Sequence, residues 1–465
     1  MLRFFKKYYP IRNIFFVIGE GVFIYISVLL ASLINFGRES FAPDHWLLLK
    51  ILLITFVCQA CLYYNDLYDL EITDSLNELG IRLLQALGFA AIFLALVYFI
   101  FPKTIIETGT FIVSICFVVL LIVSWRFFYS MILNRGIFNQ KIILLGSGAL
   151  TANIKQEITT RKDCGYTLTL EVPENPDDAD SACPEGISEI CRNNFAGLCE
   201  MAEAREIEKI VVGFKEKRGF FPTKELLRCR INGIDVIDGN SFYENLTGKL
   251  TVASVNPSWL IFSDGFHKTR TRLYLKRLLD LILSLIMLIL SSPLIMLTAI
   301  SIKIDSKGPV FFSQERVGEK GKVYEIRKFR SMITDAEKQS GPVWADCDDA
   351  RVTRVGKFIR KWRIDEIPQL WNVLKGEMSF VGPRPERGYF VKKLEDMIPY
   401  YTVRLTVKPG ITGWAQVCYG YGASVEDAVE KLNYDLFYIK NMTTLIDILI
   451  VLRTIKIVLF SKGAR

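Results

Sequence analysis

Five apolar blocks constrain the fold of this chain more than any other feature. Residues 14–34, 46–64, 81–101 and 109–125 are each about long enough to cross a bilayer, and Leu278–Ile300 makes a fifth. The first block is too long, and too closely followed by further spans, to read as a cleaved signal peptide. With 51% hydrophobic residues and a mean hydropathy of +0.28, the sequence predicts an integral membrane protein. Flanking charge predicts its orientation. Arg3, Lys6, Lys7 and Arg12 precede the first block, whereas the first and third loops carry only Arg38 and Lys103. Lys and Arg concentrate on the cytoplasmic side of a membrane, so the N-terminus is expected inside. Four spans then return the chain there near Arg135 and Lys141.

The fifth block carries positive charge on both flanks: Arg270, Arg272, Lys276 and Arg277 before it, Lys303 and Lys307 after it. Both ends are therefore expected in the cytoplasm. Ser291-Ser292-Pro293 sits past its middle, where the proline removes one helical hydrogen bond and forces a kink. The expectation is a re-entrant helix over about 275–303 that enters the inner leaflet, bends at Ser292 and Pro293, and returns. Serine hydroxyls would meet the carbonyls freed at the bend. A fifth full span is the alternative, and it would carry everything downstream to the other side.

Between the fourth and fifth blocks, KIILLGSGAL (Lys141–Leu150) reads as a buried strand entering a glycine turn. EKIVVGF and GIDVIDG alternate with helical stretches, which predicts a small parallel α/β unit. Gly146-Ser147-Gly148 starts a dinucleotide fingerprint, but Thr151 stands where the third glycine belongs, so a Rossmann-like domain without cofactor is expected. Residues 173–186 are polar and expected to loop out. Past the fifth block, GPVFFSQERVGEKGKVYEIRKFRSM predicts two strands, with Lys328 and Arg330 at the end of the second. Leu445–Phe460 is apolar with Asp447, Arg453 and Lys456 spaced for an interfacial helix.

The available chemistry is narrow. Of two histidines, His45 lies in an external loop and His267 in a linker, which removes His-based triads and His-ligated metals from consideration. Ten scattered cysteines show no zinc or disulfide spacing, and Cys58 and Cys61 lie inside an apolar block. A net charge of +8 suits anionic lipid and phosphorylated substrates, and no nucleic-acid-binding motif accompanies it. Carboxylates, hydroxyls, lysine or a hard metal ion must do the work.

The stretch RVTRVGKFIRKWRIDEIPQLWNVLKGEMSFVGPRPE, Arg351–Glu386, supplies such groups. Val352, Val355, Ile359 and Trp362 form one apolar helical face, with Arg351, Arg354, Lys357 and Lys361 mainly opposite. A second helix is expected to start at Asp365 as N-cap, with Pro368 in its first turn. Asp365 and Glu366 are adjacent and diverge around the helix, so they cannot share one role. From the residues alone, a solvated basic helix ending in an ordinary acidic cap is an equal reading.

From about Arg272 onward the chain resembles the bacterial sugar transferases, the monotopic polyprenyl-phosphate phosphoglycosyl transferases. The likeness is carried by the Ser292-Pro293 segment, GPVFFSQERVG, KFRSM, IDEIPQLWNVLKGEMSFVGPRP and KPGITGWAQV. With the N-terminal spans, the whole resembles the large undecaprenyl-phosphate sugar phosphotransferases. LYYNDLYDL, SFYENLTGKL and NPSWLIFSDGF resemble the exosortase-associated branch. The resemblance implies sugar-phosphate transfer from a UDP-sugar to undecaprenyl phosphate, initiating exopolysaccharide, O-antigen or capsule synthesis. Asp365 would attack the sugar-bearing phosphorus to give an aspartyl phosphosugar. Glu366, with Asp365, would hold Mg²⁺. Lys328, Arg330, Arg354, Arg360, Arg384 and Gln416 would lie at the phosphates, with Pro383 and Pro385 aiming Arg384, and Trp414 either beside the site or packed. It also implies a homodimer in the bacterial inner membrane with its catalytic domain on the cytoplasmic face.

The resulting expectation is a membrane protein of α/β class. It comprises a four-helix transmembrane bundle (1–137), a Rossmann-like domain (138–266) and a catalytic α/β domain with a re-entrant helix hairpin (267–465). The rival enzyme is a membrane-anchored NAD-dependent sugar-nucleotide epimerase or dehydratase. It would need a complete glycine fingerprint and a helical Tyr/Lys pair, whereas Tyr324 and Lys328 are expected on a strand. A membrane sensor or scaffold would leave Asp365-Glu366 and Gly-Pro-Arg-Pro unexplained.

Overall fold

The computed structural model describes the chain apart from residues 1, 5–6, 10, 41–44, 69–75, 107, 135–138, 162–163, 174–194, 215–220, 253–264, 267, 334–350, 421, 423 and 460–465. The loop expected at 173–186 thus falls outside the described residues beyond Pro173, as does His267. The chain divides into two compact units, Met1–Phe242 and Tyr243–Arg465.

After a short antiparallel pair, Leu2–Phe4 with Lys7–Tyr9, the first unit has four long helices, α1 (Ile11–Ser40), α2 (His45–Tyr64), α3 (Leu76–Ile100) and α4 (Thr108–Asn134). None contains a proline, and each satisfies its backbone groups internally, as an apolar surrounding requires. All four are long and apolar enough to cross a membrane, and the four N-terminal blocks read from sequence fall on them. They pack around Ile24, Ile51, Leu62 and Ile122, while Phe15, Phe56, Phe99 and Phe127 point outward. One ion pair is sealed among them. Arg126 Nε donates to Glu20 Oε1 at 2.8 Å and Arg126 Nη1 to the Leu67 carbonyl at 2.7 Å.

A four-stranded parallel sheet follows: β1 (Gln140–Leu145), β2 (Tyr166–Val172), β3 (Lys209–Val212) and β4 (Asp235–Asp238), in the order β2-β1-β3-β4. Ile142–Leu145 and Ile210–Val212 are continuous buried runs, the pattern of strands covered on both faces. Helices α5 (Ala149–Thr160), α6 (Leu198–Ala204) and α7 (Thr223–Ile231) accompany the strands. Gly146 turns at φ +120°, where a side chain would press on the Gly213 carbonyl. Thr151 is buried, donates to the Gly148 carbonyl at 2.6 Å and sets its methyl against Gly213. The space that a third glycine leaves open in a dinucleotide cradle is filled by this side chain.

In the second unit the dominant element is α9 (Arg270–Asp305), a single 36-residue helix with Pro293 inside it; α8 (Gly239–Thr247) precedes it and spans the boundary. A bend was expected at Ser292 and Pro293; helical structure continues across both residues. Pro293 cannot bond the Ile289 carbonyl one turn back, and Ser292 Oγ donates to that carbonyl at 2.8 Å instead. Ser291 Oγ donates to the Met287 carbonyl at 2.6 Å. The outward row Leu285, Ile289, Leu290, Met296 and Leu297 is apolar and exposed.

Behind α9 come an antiparallel hairpin, β5 (Phe311–Val317) and β6 (Val323–Phe329), then α10 (Arg354–Lys361) and α11 (Gln369–Lys375). Strands β7 (Ser379–Val381) and β8 (Gly410–Thr412) pair in parallel. Helices α12 (Gly388–Met397), α13 (Trp414–Cys418), α14 (Val425–Asn441) and α15 (Thr444–Leu459) complete the unit. Its core joins Leu370, Val381, Phe390, Trp414, Leu436, Tyr438 and Ile450. On α15, Asp447 and Ile450 face this core while Leu445, Ile448, Leu452 and Ile455 face out.

Both ends of α9 are tied to this unit, each at its own cluster. At its start, Arg277 donates to the Val373 and Leu374 carbonyls at 2.6 and 2.8 Å, and Asp280 Oδ1 accepts from Ser379 Oγ at 3.0 Å and the Phe380 amide at 2.9 Å. At its end, Ile302 packs with Phe329, Ile359 and Ile364, and Asp305 accepts from the Val355 amide at 3.1 Å. Asp280→Ala should strand two buried donors and lower stability by about 2–3 kcal/mol, read as a fall in Tm in detergent, with Asp280→Asn losing less.

Candidate active site

Helix α10 begins at Thr353, whose Oγ1 accepts from the Gly356 amide at 3.0 Å. Its apolar face buries Ile359 against Phe329, which fixes the exit of the helix. Arg363 then takes a left-handed conformation at φ 53°, and Ile364–Glu366 form a short 3-10 turn. Asp365 is therefore not the N-cap expected of the next helix, which starts at Gln369 with Pro368 as cap. The left-handed Arg363 redirects the chain one turn earlier than local capping rules suggest. In a 3-10 turn successive side chains diverge by about 120°, so Asp365 and Glu366 still face different surroundings.

Glu366 is buried and ringed by cations. Its Oε1 accepts from Lys328 Nζ and from Arg384 Nη2, each at 2.8 Å, and its Oε2 lies 3.7 Å from Arg363 Nη1. Burial opposes its ionisation, but Arg384, Lys328 and Arg363 outweigh burial and hold it well below the usual carboxylate range. Asp365 is 9% exposed and carries no hydrogen bond among the described residues. Burial first, and the Glu366 charge second, push its carboxyl up from 3.8 to about 6 against Lys328, Arg360 and Arg384. Two adjacent carboxylates thus differ sharply in proton affinity, which suits different tasks.

The residues expected at the phosphates divide into two sets. Lys328 and Arg384 meet at Glu366, and Arg360 stands close, its Nε donating to Ser331 Oγ at 2.9 Å. Pro383 and Pro385 flank Arg384, and the turn is strapped to β8 by Gly382 N to the Thr412 carbonyl and Gly410 N to the Pro383 carbonyl. Gly382 has no room for a side chain, because the Lys408 carbonyl covers it. Arg330, by contrast, is buried and spends both terminal nitrogens on Ser306 and the Lys307 carbonyl. Arg354 is exposed at the start of α10. Gln416 turns to the Ile411 carbonyl at 3.3 Å. Trp414 donates to the Gly248 carbonyl and stacks on Phe437, so it packs. Ser292 and Pro293 lie on α9. Arg363 was missed by sequence reasoning; its only signal was its place three residues before Glu366.

Among the described residues no group of three His, Cys, Asp or Glu side chains could hold a metal ion. The Asp365-Glu366 pair offers hard carboxylate oxygens. Mg²⁺ is commonly bound by one or two carboxylates completed by phosphate oxygens and water, so the donor set fits that ion as part of a substrate complex. Tyr324 and Lys328 both lie on strand β6 and Thr151 fills the glycine cradle, an arrangement that does not favour nicotinamide chemistry.

Residues 271–461 match the bacterial sugar transferase family. The chain is 44% identical over 240 residues to a UDP-N-acetylgalactosamine-undecaprenyl-phosphate N-acetylgalactosaminephosphotransferase of Aeromonas hydrophila, covering 52% of this chain and 56% of that one. It is 30% identical over 372 residues to an undecaprenyl-phosphate galactose phosphotransferase of Salmonella typhimurium, covering 75% of this chain and 74% of the relative. A putative undecaprenyl-phosphate N-acetylgalactosaminyl 1-phosphate transferase of Bacillus subtilis is 51% identical over 139 residues, 30% of this chain and 77% of its own length. This chain belongs to the bacterial sugar transferase family. The match spans little more than half of the Aeromonas relative's length.

The two carboxylates should respond oppositely to neutralisation. Asp365 binds its proton more tightly in the fold than unfolded, so ionising it costs stability that grows from pH 3.8 and is complete above about 6. Asp365→Asn should raise stability at pH 8 by on the order of 1–3 kcal/mol, an advantage that vanishes below pH 4. Glu366→Gln should lower it at pH 8 by about 3 kcal/mol, because Lys328 and Arg384 lose their buried counter-charge. Thermal unfolding of both variants across pH checks the signs.

Proposed function

We propose that this chain transfers a sugar phosphate from a UDP-sugar to undecaprenyl phosphate and so starts a cell-surface polysaccharide. One observation carries the reading: an unbonded, buried Asp365 of raised proton affinity beside a Glu366 engaged by Lys328, Arg384 and Arg363. In the first step an Asp365 oxygen attacks the sugar-bearing phosphorus. A phosphorus–oxygen bond forms, the bond to the bridging oxygen breaks, and UMP leaves with that oxygen. In the second step a phosphate oxygen of the lipid attacks the same phosphorus and Asp365 departs as carboxylate, leaving a lipid diphosphate sugar. Each step brings anions together, and covalent catalysis divides one difficult encounter into two. Lys328, Arg384 and Arg360 hold phosphate oxygens, the arginines with paired donors. Glu366 and Asp365 would hold Mg²⁺, which when bound neutralises charge on the diphosphate.

The membrane reading rests on α9. Its exposed middle is apolar, yet Arg277 and Asp280 at one end and Ile302 and Asp305 at the other are held by residues of the same unit. A full crossing would deliver the ends to opposite sides of some 30 Å of hydrocarbon. We therefore favour a helix that dips into the cytoplasmic leaflet, its course eased at Pro293, and holds Asp365 near the lipid phosphate. The relatives are named for N-acetylgalactosamine and galactose, two sugars that differ at the 2-position.

Purified protein given radiolabelled UDP-sugars and Mg²⁺ without lipid acceptor should retain sugar-phosphate label after rapid quench, and Asp365→Asn should lose it more than a thousandfold. Loading should fall about tenfold per pH unit below 6, as Asp365 takes up its proton. Chelation should stop loading and Mg²⁺ restore it. Full turnover with lipid but no retained label would overturn the covalent route.

A further inference from the structure

The turn that carries Arg384 is gripped from behind by two cation–carboxylate pairs, neither of which touches Asp365 or Glu366. On its entry side the Val381 carbonyl accepts from Lys276 Nζ at 2.9 Å, and Tyr438 Oη lies 3.2 Å away. Lys276 pairs with Asp447 at 2.9 Å, and Tyr438 Oη donates to Asp447 Oδ1 at 2.7 Å. On its other side the carbonyl of Arg384 itself accepts from Arg404 Nη2 at 2.9 Å. Arg404 pairs with Asp435 Oδ2 at 3.0 Å and donates to Tyr401 Oη at 2.6 Å. Arg404, Asp435 and Tyr401 are all buried. Asp435 and Tyr438 stand three apart on α14, so one face of that helix serves both grips.

The turn needs such help. Pro383 and Pro385 have no backbone N–H, so beyond the straps to β8 the turn is held by side chains, including Arg316, which donates to the Pro385 carbonyl at 3.3 Å. Burying a guanidinium and a carboxylate together is a poor route to stability, since desolvation offsets most of their attraction. A planar guanidinium can, however, serve the Arg384 carbonyl, Asp435 and Tyr401 at once, which the point charge of lysine does with less fixed geometry.

We propose that Arg404, oriented by Asp435, is a positioning residue that sets the aim of the Arg384 guanidinium at a substrate phosphate. The inference rests on the reading above that Arg384 contacts that phosphate.

A double-mutant cycle tests it, with single-turnover loading and the KM for the UDP-sugar as readouts and Tm as a check on folding. Arg384→Ala should raise KM and slow loading. Arg404→Lys should fold and move both in the same direction, by roughly tenfold, and should add nothing once Arg384→Ala is present. Asp435→Asn goes through the same cycle in case Arg404→Lys does not fold. Wild-type kinetics for Arg384→Ala would sink the phosphate reading on which the inference stands. An impaired Arg384→Ala with a silent or fully additive Arg404→Lys would overturn the inference alone. Failure of both Arg404→Lys and Asp435→Asn to fold would assign the network to stability and overturn it too.

Discussion

The second unit is organised around one buried negative charge. Glu366 draws Lys328 from the end of β6, Arg384 from the Gly-Pro-Arg-Pro turn and Arg363 from its own chain reversal onto one carboxylate. None of those segments would converge for packing reasons alone, since the cations would repel. A carboxylate removed from water costs several kcal/mol unless it is paired, and here the pairing is threefold. The same convergence raises the positive potential around Asp365. Burial nevertheless wins there, because Glu366 cancels much of that potential.

Much of the architecture was legible because it depends on period and composition. Continuous apolar runs marked α1 to α4, and short apolar runs before glycine turns marked β1, β3 and β4. The site residues were legible by type but not by direction. Lys328 and Arg330 are two apart and would share a face of a continuing strand. Strand β6 ends at Phe329, so Arg330 leaves the ladder and turns to Ser306 and Lys307 at the end of α9. Arg354 and Arg360 are six apart on a helix and lie about 120° around it, so only one can face the turn that follows.

Charge near an apolar helix proved the hardest signal to read. Lys276 and Arg277 count with Arg270 and Arg272 as a flank of the fifth block, but only Arg270 and Arg272 are exposed. Lys276 and Arg277 themselves reach into the core, to Val381, Asp447, Val373 and Leu374. Asp280, one turn on, does the same. A sequence window cannot separate a residue that greets lipid headgroups from one that anchors the helix to protein, because both are cations beside apolar residues. At Pro293 the expected local chemistry is present: the hydroxyl of Ser292 takes the carbonyl that Pro293 leaves unbonded, and the helix continues.

These anchors give the proposed reaction its mechanical frame. Lys276 holds Val381 and Asp280 holds Ser379 and Phe380, so α9 is joined through three consecutive residues to the strand that leads into the turn bearing Arg384. In the proposed reaction a lipid phosphate would be met only at the height where the bilayer presents it, and the donor where Arg384 and Lys328 stand. Linking α9 rigidly to that turn fixes one height relative to the other. On that proposal, a loose attachment would let the apolar row of α9 settle in lipid without bringing Asp365 to either substrate. The buried charges at the start of α9 are thus better understood as setting a distance than as adding stability, which their desolvation largely offsets.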